Sequence, residues 1–255
     1  MLAPQTNSHR RATRLAEVWE FRFDPDEVGH AQGWSAGFDQ GHPIAVPASW
    51  NDIFAEGGDS LGPGWYQVRF HADGALPDTR ATLRFDSVSY FAEVWLNGNA
   101  LGTHAGAHLP FELDCETSLV PGENHLVVRV DGRLTPGTVP GASSRRSRGF
   151  GAAAGSMFDV LGGMLGSAPA TNFDFFPYAG IQRPVWLVSQ PATGLRTIRV
   201  DTTMEGIAEL TVDCVGDVDA VEASISRQQT QVTAALDLSG DRATGVLEVE
   251  DVTCW

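Results

Sequence analysis

The stretch Phe91–Leu96, F-A-E-V-W-L, decides how the rest of the sequence is interpreted. It runs directly into Asn97-Gly98, and both residue types adopt positive φ angles at little cost. An Asn-Gly pair beside an apolar run is the strongest short-range signal for a β-hairpin. Leu101-Gly102 begins the return strand. The stretch therefore predicts two antiparallel strands joined by a tight turn.

Comparable segments lie on both sides of this hairpin. In Val18–Phe23 the aromatic residues alternate with charged ones, which is typical of a half-buried strand. Further short strands are predicted at Trp65–Phe70, Ala81–Phe85, Leu109–Leu113 and His125–Val130. About eight short strands with turn residues between them, and no convincing amphipathic helix, predict an antiparallel β sandwich of the jelly-roll type.

A second group of alternating segments follows the linker-like run Pro191–Gly194. These segments are Ile198–Val200, Ala208–Val212, Val218–Ile225, Val232–Leu238 and Val246–Val249. They predict a small immunoglobulin-like sandwich that is about two strands short of the usual seven. Because such a sheet would have an uncovered edge and face, we expect this domain to be truncated.

These patterns give a predicted domain organisation for the all-β chain. Residues 1–14 are expected to be a flexible arm, 15–190 a jelly-roll domain, and 195–255 a truncated immunoglobulin-like domain. A stretch rich in Gly, Ala, Ser and Pro at 132–170 interrupts the strand pattern of the jelly roll. Loops of this length are usually functional or disordered, so we expect a long mobile loop there.

Composition excludes several classes of function. The formal net charge of -15 opposes binding to nucleic acid and to anionic membranes. No apolar run approaches the roughly 20 residues of a membrane helix, and the N-terminus lacks the apolar core of a signal peptide, so we expect a cytoplasmic protein. The three cysteines, Cys115, Cys214 and Cys254, are far apart and predict buried reduced thiols, with no metal site and no cofactor.

The clearest candidate site lies in Asn172–Leu187, N-F-D-F-F-P-Y-A-G-I-Q-R-P-V-W-L, where Asp174 stands among aromatic residues. Aromatic faces stack on the C–H groups of sugars, and a carboxylate accepts charge-assisted hydrogen bonds from hydroxyl groups. The alternative is a segment of core aromatics in which Asp174 caps a turn through its own backbone. Composition alone favours the alternative, and the rest of the sequence shifts the balance toward the sugar site.

A series of motifs carries a family resemblance. In chain order they are W-E-F-R-F-D, I-A-V-P-A-S-W-N-D, G-W-Y, L-R-F-D-S-V, V-W-L-N-G-x-x-L-G-T-H-x-G-x-x-x-P-F, L-V-P-G-E-N-H-L-V-V-R-V-D and D-F-F-P-Y-A-G-I-Q-R-P-V-W-L. Their order resembles glycoside hydrolase family 2, in particular its β-glucuronidases. Pro177 and Gln182 depart from the Asn and His that β-glucuronidases usually carry, so we expect a different local loop.

The resemblance implies a division of labour between domains. The family's third domain is a (β/α)₈ barrel that carries the acid/base and nucleophile glutamates of a retaining mechanism. This sequence contains no Asn-Glu dipeptide, in which the acid/base normally sits, so no catalytic residue is assigned. Asp174 is implied to reach into the barrel's active site and bind the non-reducing sugar. Asn51 is a second substrate-binding candidate, with a turn residue as the alternative.

We therefore expect the N-terminal sugar-binding region of a retaining family 2 glycosidase, inactive by itself. Its expected partners are a β-glucuronide or β-galactoside in the intact enzyme, the missing barrel domain and a second copy of the chain. The alternatives are a stand-alone carbohydrate-binding module, an inactive truncated paralogue, and an assembly fragment that docks through an exposed apolar face. Trp50 and Trp65 are expected in loops near the site, and His104 and His108 in loops without a ligand role.

Overall fold

The computed structural model describes residues 3–58, 60–73, 79–135, 137–138, 176–227 and 230–249. The chain divides into two compact units, Met1–Leu76 with Arg80–Ser189 (unit 1) and Pro77–Thr79 with Gln190–Trp255 (unit 2). Strands dominate both units, which confirms the predicted all-β architecture of a jelly roll followed by a partial immunoglobulin-like sandwich. Residues 139–170, the greater part of the predicted long loop, lie outside the described residues.

The first part of the chain contains twelve strands and three short helical segments among its described residues. The strands are β1 (Arg11–Arg14), β2 (Val18–Phe23), β3 (His42–Ala45), β4 (Pro63–Ala72), β5 (Thr79–Phe85), β6 (Val88–Ser89), β7 (Phe91–Leu96), β8 (Asn99–Ala105), β9 (Phe111–Asp114), β10 (Gly122–Asp131), β11 (Gly180–Ile181) and β12 (Val185–Pro191). The helix α1 spans Trp50–Ile53, and 3₁₀ turns span Trp34–Ala36 and Ala55–Gly57.

Two main sheets build the jelly roll of unit 1. One has the order β3-β2-β4-β10-β7-β8, the other the order β1-β12-β5-β9, and β11 pairs separately with β6. The predicted hairpin is present: Leu96 pairs with Asn99, and the turn residues Asn97 and Gly98 have φ angles of 53° and 80°. The Asn-Gly turn therefore has the positive φ angles that a tight hairpin of this kind requires.

Side chains from both main sheets and from α1 fill the core of unit 1. Phe21 of β2 is fully buried, and its ring centroid lies 5.5 Å from that of Trp50, 5.4 Å from Phe54 and 4.8 Å from Tyr66. Leu83 of β5 belongs to the same core from the opposite sheet. Burial of each large side chain of this kind contributes about 1.5–3 kcal/mol, so the aromatic cluster is a main source of stability.

The outer face of the six-stranded sheet carries a second aromatic cluster. Trp34 and Phe38 of the loop that follows β2 are buried there together with Trp65 of β4. The side chain of Gln67 donates to the carbonyl oxygen of Phe38 at 2.7 Å and accepts from its amide at 3.1 Å, which holds the loop on the sheet. The expectation of loop positions is wrong for Trp50, which lies in α1, and for Trp65, which lies in the strand predicted at Trp65–Phe70. Both rings are buried in apolar clusters.

Two further expectations need correction. Arg11–Arg14 lies within the predicted flexible arm, but it forms β1 and pairs antiparallel with β12. Strand pairing uses backbone groups, so a segment without apolar alternation can still join a sheet edge. His104 was expected in a loop but lies in β8, where its ring stacks on Phe111 with the centroids 4.1 Å apart.

Unit 2 is one antiparallel five-stranded sheet in its described residues. Its strands are β13 (Gly194–Thr202), β14 (Ile207–Val215), β15 (Val221–Arg227), β16 (Thr230–Ser239) and β17 (Arg242–Glu248), in the order β13-β14-β17-β16-β15. Strand β16 pairs first with β15 and then, from Asp237 to Ser239, with β17. The core is small and consists of Val212, Cys214, Val221, Leu236 and Ala243.

Candidate functional site

The described part of the candidate site is the segment 176–182, which continues the stretch that contains Asp174. Ala179, Gly180 and Ile181 are buried, whereas Phe176 and Tyr178 are exposed. The segment therefore changes from an exposed to a buried path within four residues. The contacts that hold residues 179–181 therefore determine the position of the exposed residues Phe176 and Tyr178.

Backbone hydrogen bonds hold the buried half from two sides. On one side Gly180 and Ile181 pair with Ser89 and Val88 as β11 and β6. On the other side the amide of Ala48 donates to the carbonyl oxygen of Ile181 at 3.0 Å. The segment 179–181 thus lies between two neighbouring stretches of chain, in the manner of a central strand.

Gly180 is required at the centre of this arrangement. Its φ angle is 123°, a conformation that residues with a Cβ rarely adopt. A Cβ placed there would lie 2.8 Å from the Tyr66 hydroxyl and 3.0 Å from the carbonyl oxygen of Ala48. Burial of Tyr66 raises the pKa of its hydroxyl, so this group is neutral and cannot act as a base in the site. The glycine therefore permits the close approach of the two chain segments.

Asn51 of α1 connects this segment with a turn that is distant in sequence from it. Its Oδ1 accepts a hydrogen bond from the amide of Ala179 at 2.9 Å. Its Nδ2 donates to the carbonyl oxygens of Gly57 at 2.7 Å and Ser60 at 2.9 Å, with that of Gly58 at 3.3 Å. One carboxamide therefore fixes two backbone segments relative to each other.

Ser49 completes the contact as the residue that caps α1. Its hydroxyl accepts from the amide of Asn51 at 3.2 Å and donates to the carbonyl oxygen of Ala179 at 2.9 Å. Trp50, which lies between Ser49 and Asn51, donates from its indole to the carbonyl oxygen of Ser60 at 2.8 Å. We call Ser49, Asn51 and Ala179 the anchor. Both backbone groups of Ala179 are bound by side chains of the α1 N-terminus.

The exposed half of the segment carries an aromatic pair. Phe176 is 40% exposed and Tyr178 is 44% exposed, and their rings meet edge to face with centroids 4.9 Å apart. The side chain of Gln182 donates to the carbonyl oxygen of Tyr178 at 2.7 Å and steadies the backbone below the pair. Exposed aromatic faces beside a fixed backbone can stack on the apolar face of a sugar.

The structure places only one of the two predicted substrate-binding residues. Asp174 lies outside the described residues, and its role stays a prediction. Asn51 is partly buried with both ends of its side chain engaged by backbone, and its contact with a substrate also stays a prediction. Sequence reasoning missed Ser49 and Ala179, although a Ser two residues before Asn51 is a usual helix N-cap.

Other chemically active side chains lie apart from this segment. Among the described residues no group of His, Cys, Asp and Glu has the arrangement of a metal site. Cys115 and Cys214 are buried free thiols, and burial raises the pKa of Cys115 to about 12. The Cys115 thiol is therefore protonated near neutral pH and is a poor nucleophile.

Comparison with known proteins gives the family. The model described as "Glycosyl hydrolases family 2, sugar binding domain" matches residues 55–191. The chain belongs to this family. The matched range includes the turn at 57–60 and Ala179, so the anchor joins α1 to two parts of the family 2 domain.

Individual family members share the whole length of the chain but extend well beyond it. A β-glucuronidase of Paenibacillus borealis is 28% identical over 100% of this chain and 42% of its own length. One of Sus scrofa is 29% identical over 100% of this chain and 40% of its own length. The structure of a β-glucuronidase from Ruminococcus gnavus in complex with D-glucaro-d-lactam superposes with a TM-score of 0.75 and 26% identity, covering 100% of this chain and 42% of that one. The chain thus spans about two fifths of these relatives.

None of the helices in the residues placed by the structure has the length and apolar character needed to cross a bilayer.

Proposed function

We propose that this chain supplies the sugar-binding part of a retaining family 2 glycosidase that acts on β-glucuronides. The observation that carries the proposal is the match of the entire chain to β-glucuronidases, with 28–29% identity to two of them and a TM-score of 0.75 to a third. The buried anchor supports it, because it gives the segment after Asp174 a fixed position.

The proposed division of chemistry follows from the retaining mechanism. Two carboxyl groups about 5–5.5 Å apart, one acid/base and one nucleophile, break the glycosidic bond, and this chain is not assigned either of them. Its part is to orient the sugar: Asp174 would accept a hydrogen bond from a hydroxyl group, and Phe176 and Tyr178 would pack on apolar C–H groups. Correct orientation of a bound substrate can lower the barrier by several kcal/mol.

The identity of the relatives supports a β-glucuronide, and not a β-galactoside, as the proposed substrate. The proteins with the reported matches are β-glucuronidases, and one R. gnavus structure contains D-glucuronic acid. Within this proposal the sugar-binding domain ends at 190 and the second domain spans 195–255, and the compartment is the cytoplasm, in keeping with the free thiols Cys115 and Cys214. Assembly with a barrel region or with a second copy of the chain also belongs to the proposal.

Calorimetry and turnover together test the proposal. The purified chain should hydrolyse neither a chromogenic β-glucuronide nor a β-galactoside, and should bind D-glucuronic acid weakly, with a Kd of about 1 mM or more. Asp174→Asn should weaken binding at least about tenfold, because a charge-assisted hydrogen bond is lost. The control Asp201→Asn changes an exposed carboxylate in unit 2 and should leave binding unchanged. Hydrolysis by the purified chain, or equal binding by the wild type and Asp174→Asn, would refute the proposal.

The exposed aromatic pair favours a second candidate function, that of a carbohydrate-binding module that binds sugars without catalysing a reaction. Phe176 and Tyr178 could stack on a neutral sugar without any carboxylate. This candidate predicts equal binding of D-galactose and D-glucuronic acid, insensitivity to Asp174→Asn, and loss of binding in Tyr178→Ala. The same calorimetric series therefore separates the two candidates.

A further inference from the structure

Asn51 lies at the junction of two segments that are far apart in the sequence. It holds Ala179, which lies 128 positions later, and the turn at 57–60. We propose that Asn51 is a positioning residue of the sugar site, which fixes the Phe176–Gly180 backbone without contacting the sugar. This inference rests on the proposed function and reassigns Asn51 from a substrate ligand to a residue that acts through its neighbours.

The hydrogen-bonding capacity of the carboxamide supports this assignment. A primary amide has two N–H donors and two acceptor lone pairs. The donors of Asn51 face the carbonyl oxygens of Gly57 and Ser60 at 2.7 and 2.9 Å. Its Oδ1 accepts from the amide of Ala179 at 2.9 Å. Both donors and this acceptor position are therefore used by backbone groups, and a sugar hydroxyl that accepted from Asn51 would have to displace a backbone carbonyl oxygen.

The hydrogen bond from the Ala179 amide to Asn51 lies next to the exposed aromatic residues and so affects their position. Ala179 is the last residue before the buried β11, and Tyr178 is the first exposed ring on the other side of it. Among the described residues, the amide of Ala179 is bound only by Asn51. Without this bond the strand pairing would still hold Gly180 and Ile181, but Ala179 would keep only one of its two anchor bonds, the one from Ser49 to its carbonyl oxygen. We therefore expect a local loss of order that leaves the sandwich folded.

The chain offers a matched control for the loss of an asparagine whose side chain is bonded to backbone at both ends. Asn124 of β10 is buried, donates to the carbonyl oxygens of Val120 and Gly122 at 2.8 and 3.1 Å, and accepts from the amide of Val120 at 2.9 Å. Like the carboxamide of Asn51, it uses both donors and its oxygen in bonds to backbone groups, but these partners lie far from Ala179 in the sequence. Asn124→Ala should therefore destabilise the domain without a specific effect on the anchor.

Native-state hydrogen exchange and calorimetry on the whole chain test the inference. Asn51→Ala should increase exchange of the Ala179 amide at least about tenfold more than Asn124→Ala does at comparable overall stability. It should also weaken binding of D-glucuronic acid, whereas Asn124→Ala should not. Ser49→Ala, which removes the bond to the other backbone group of Ala179, should have a smaller effect in the same direction.

The outcomes separate this inference from the proposed function. Equal exchange of the Ala179 amide in Asn51→Ala and Asn124→Ala would overturn the positioning role, whatever the sugar result. Faster exchange with undiminished sugar binding would overturn it as well, because the bond would then not serve the site. Equal binding by the wild type and Asp174→Asn would refute the proposed function, and the exchange comparison would still decide whether Asn51 holds the segment.

Discussion

The two units are built from the same type of strand but differ in how their strands are covered. Unit 1 packs large aromatic side chains between two sheets and adds a second aromatic cluster on an outer face. Unit 2 has a small core of short apolar side chains. Because the stabilisation from burial scales with the apolar area removed from water, unit 1 should be the more stable unit. The candidate site has its anchor in that unit.

Strand β13 shows the difference most clearly. Ile198 pairs with Val212, and cross-strand partners lie on the same face of a sheet. Val212 is buried in the core of unit 2, yet Ile198 is 59% exposed and Val200 is 51% exposed. The core-side face of β13 thus lacks a cover among the residues that the structure describes. Alternation in sequence predicts which side chains share a face, but it does not show whether anything packs on that face.

The largest expected effect tests the contrast between the two cores. Phe21→Ala should reduce the free energy of unfolding of unit 1 by about 3–5 kcal/mol, because it removes a ring that packs on Trp50, Phe54 and Tyr66. The change is measured by urea unfolding monitored by tryptophan fluorescence. This signal reports on unit 1, since every tryptophan except Trp255 belongs to that unit.

Ile198→Ala is the matched substitution in unit 2. It also shortens a large apolar side chain, but a mostly exposed one, so it should change the stability of unit 2 by less than about 1 kcal/mol, as measured by circular dichroism. A loss as large as that of Phe21→Ala would show that β13 is covered in solution and would remove the proposed contrast.

The next effect concerns the anchor. Gly180→Ala should destabilise unit 1 by about 2–4 kcal/mol, because the backbone has a φ angle of 123° and the new Cβ would meet Tyr66 and Ala48. Gly98→Ala is the control, since Gly98 has a φ angle of 80° but no heavy atom within 4 Å of the new Cβ. It should cost only about 1–2 kcal/mol from the backbone conformation. Equal losses in the same unfolding assay would mean that close packing at Gly180 contributes nothing.

The smallest expected effect is a pH dependence of unit 1. Burial lowers the pKa of His104 below its ordinary value of 6.5, an effect that the backbone of Gly106 partly opposes. The folded state therefore binds this proton less readily than the unfolded state. The contribution of His104 to stability is full above pH 6.5 and is lost as the pH falls through the lowered pKa.

Unfolding at pH 7.5 and at pH 5.5 measures this dependence. His104→Phe keeps a ring that can stack on Phe111 but removes the titrating group, so it should lose less stability on acidification than the wild type. The pKa of His125 is also lowered, first by burial and then by Arg69, so part of the dependence should persist in this variant. A larger loss in His104→Phe than in the wild type would contradict the stated direction.

Much of the fold could be predicted from local patterns. The Asn97-Gly98 turn and the alternation in Val18–Phe23 act over a few residues, and both lead to the observed hairpin and strand. The pairing of β1 with β12 could not be predicted in this way. It joins Arg11 to Ser189 through backbone groups, which leave no signal in the side-chain pattern.

The candidate site was predictable only in part, for a similar reason. The aromatic residues around Asp174 are visible in the sequence, but the anchor depends on bonds from Ser49 and Asn51 to Ala179, which are separated by 130 and 128 positions. Nothing in the local sequence distinguishes an asparagine that binds a sugar from one that binds a distant backbone. Only the backbone partners of its donors and of its oxygen in the fold make that distinction.

A residue-resolved NMR titration of the wild-type chain with D-glucuronic acid tests the central claim most directly. Amide shifts should concentrate at Phe176, Tyr178 and Ala179 in unit 1, while Ile198 and Val200 on the uncovered face of unit 2 should not respond. Shifts centred on β13, or an absence of shifts around Ala179 at saturating sugar, would contradict it.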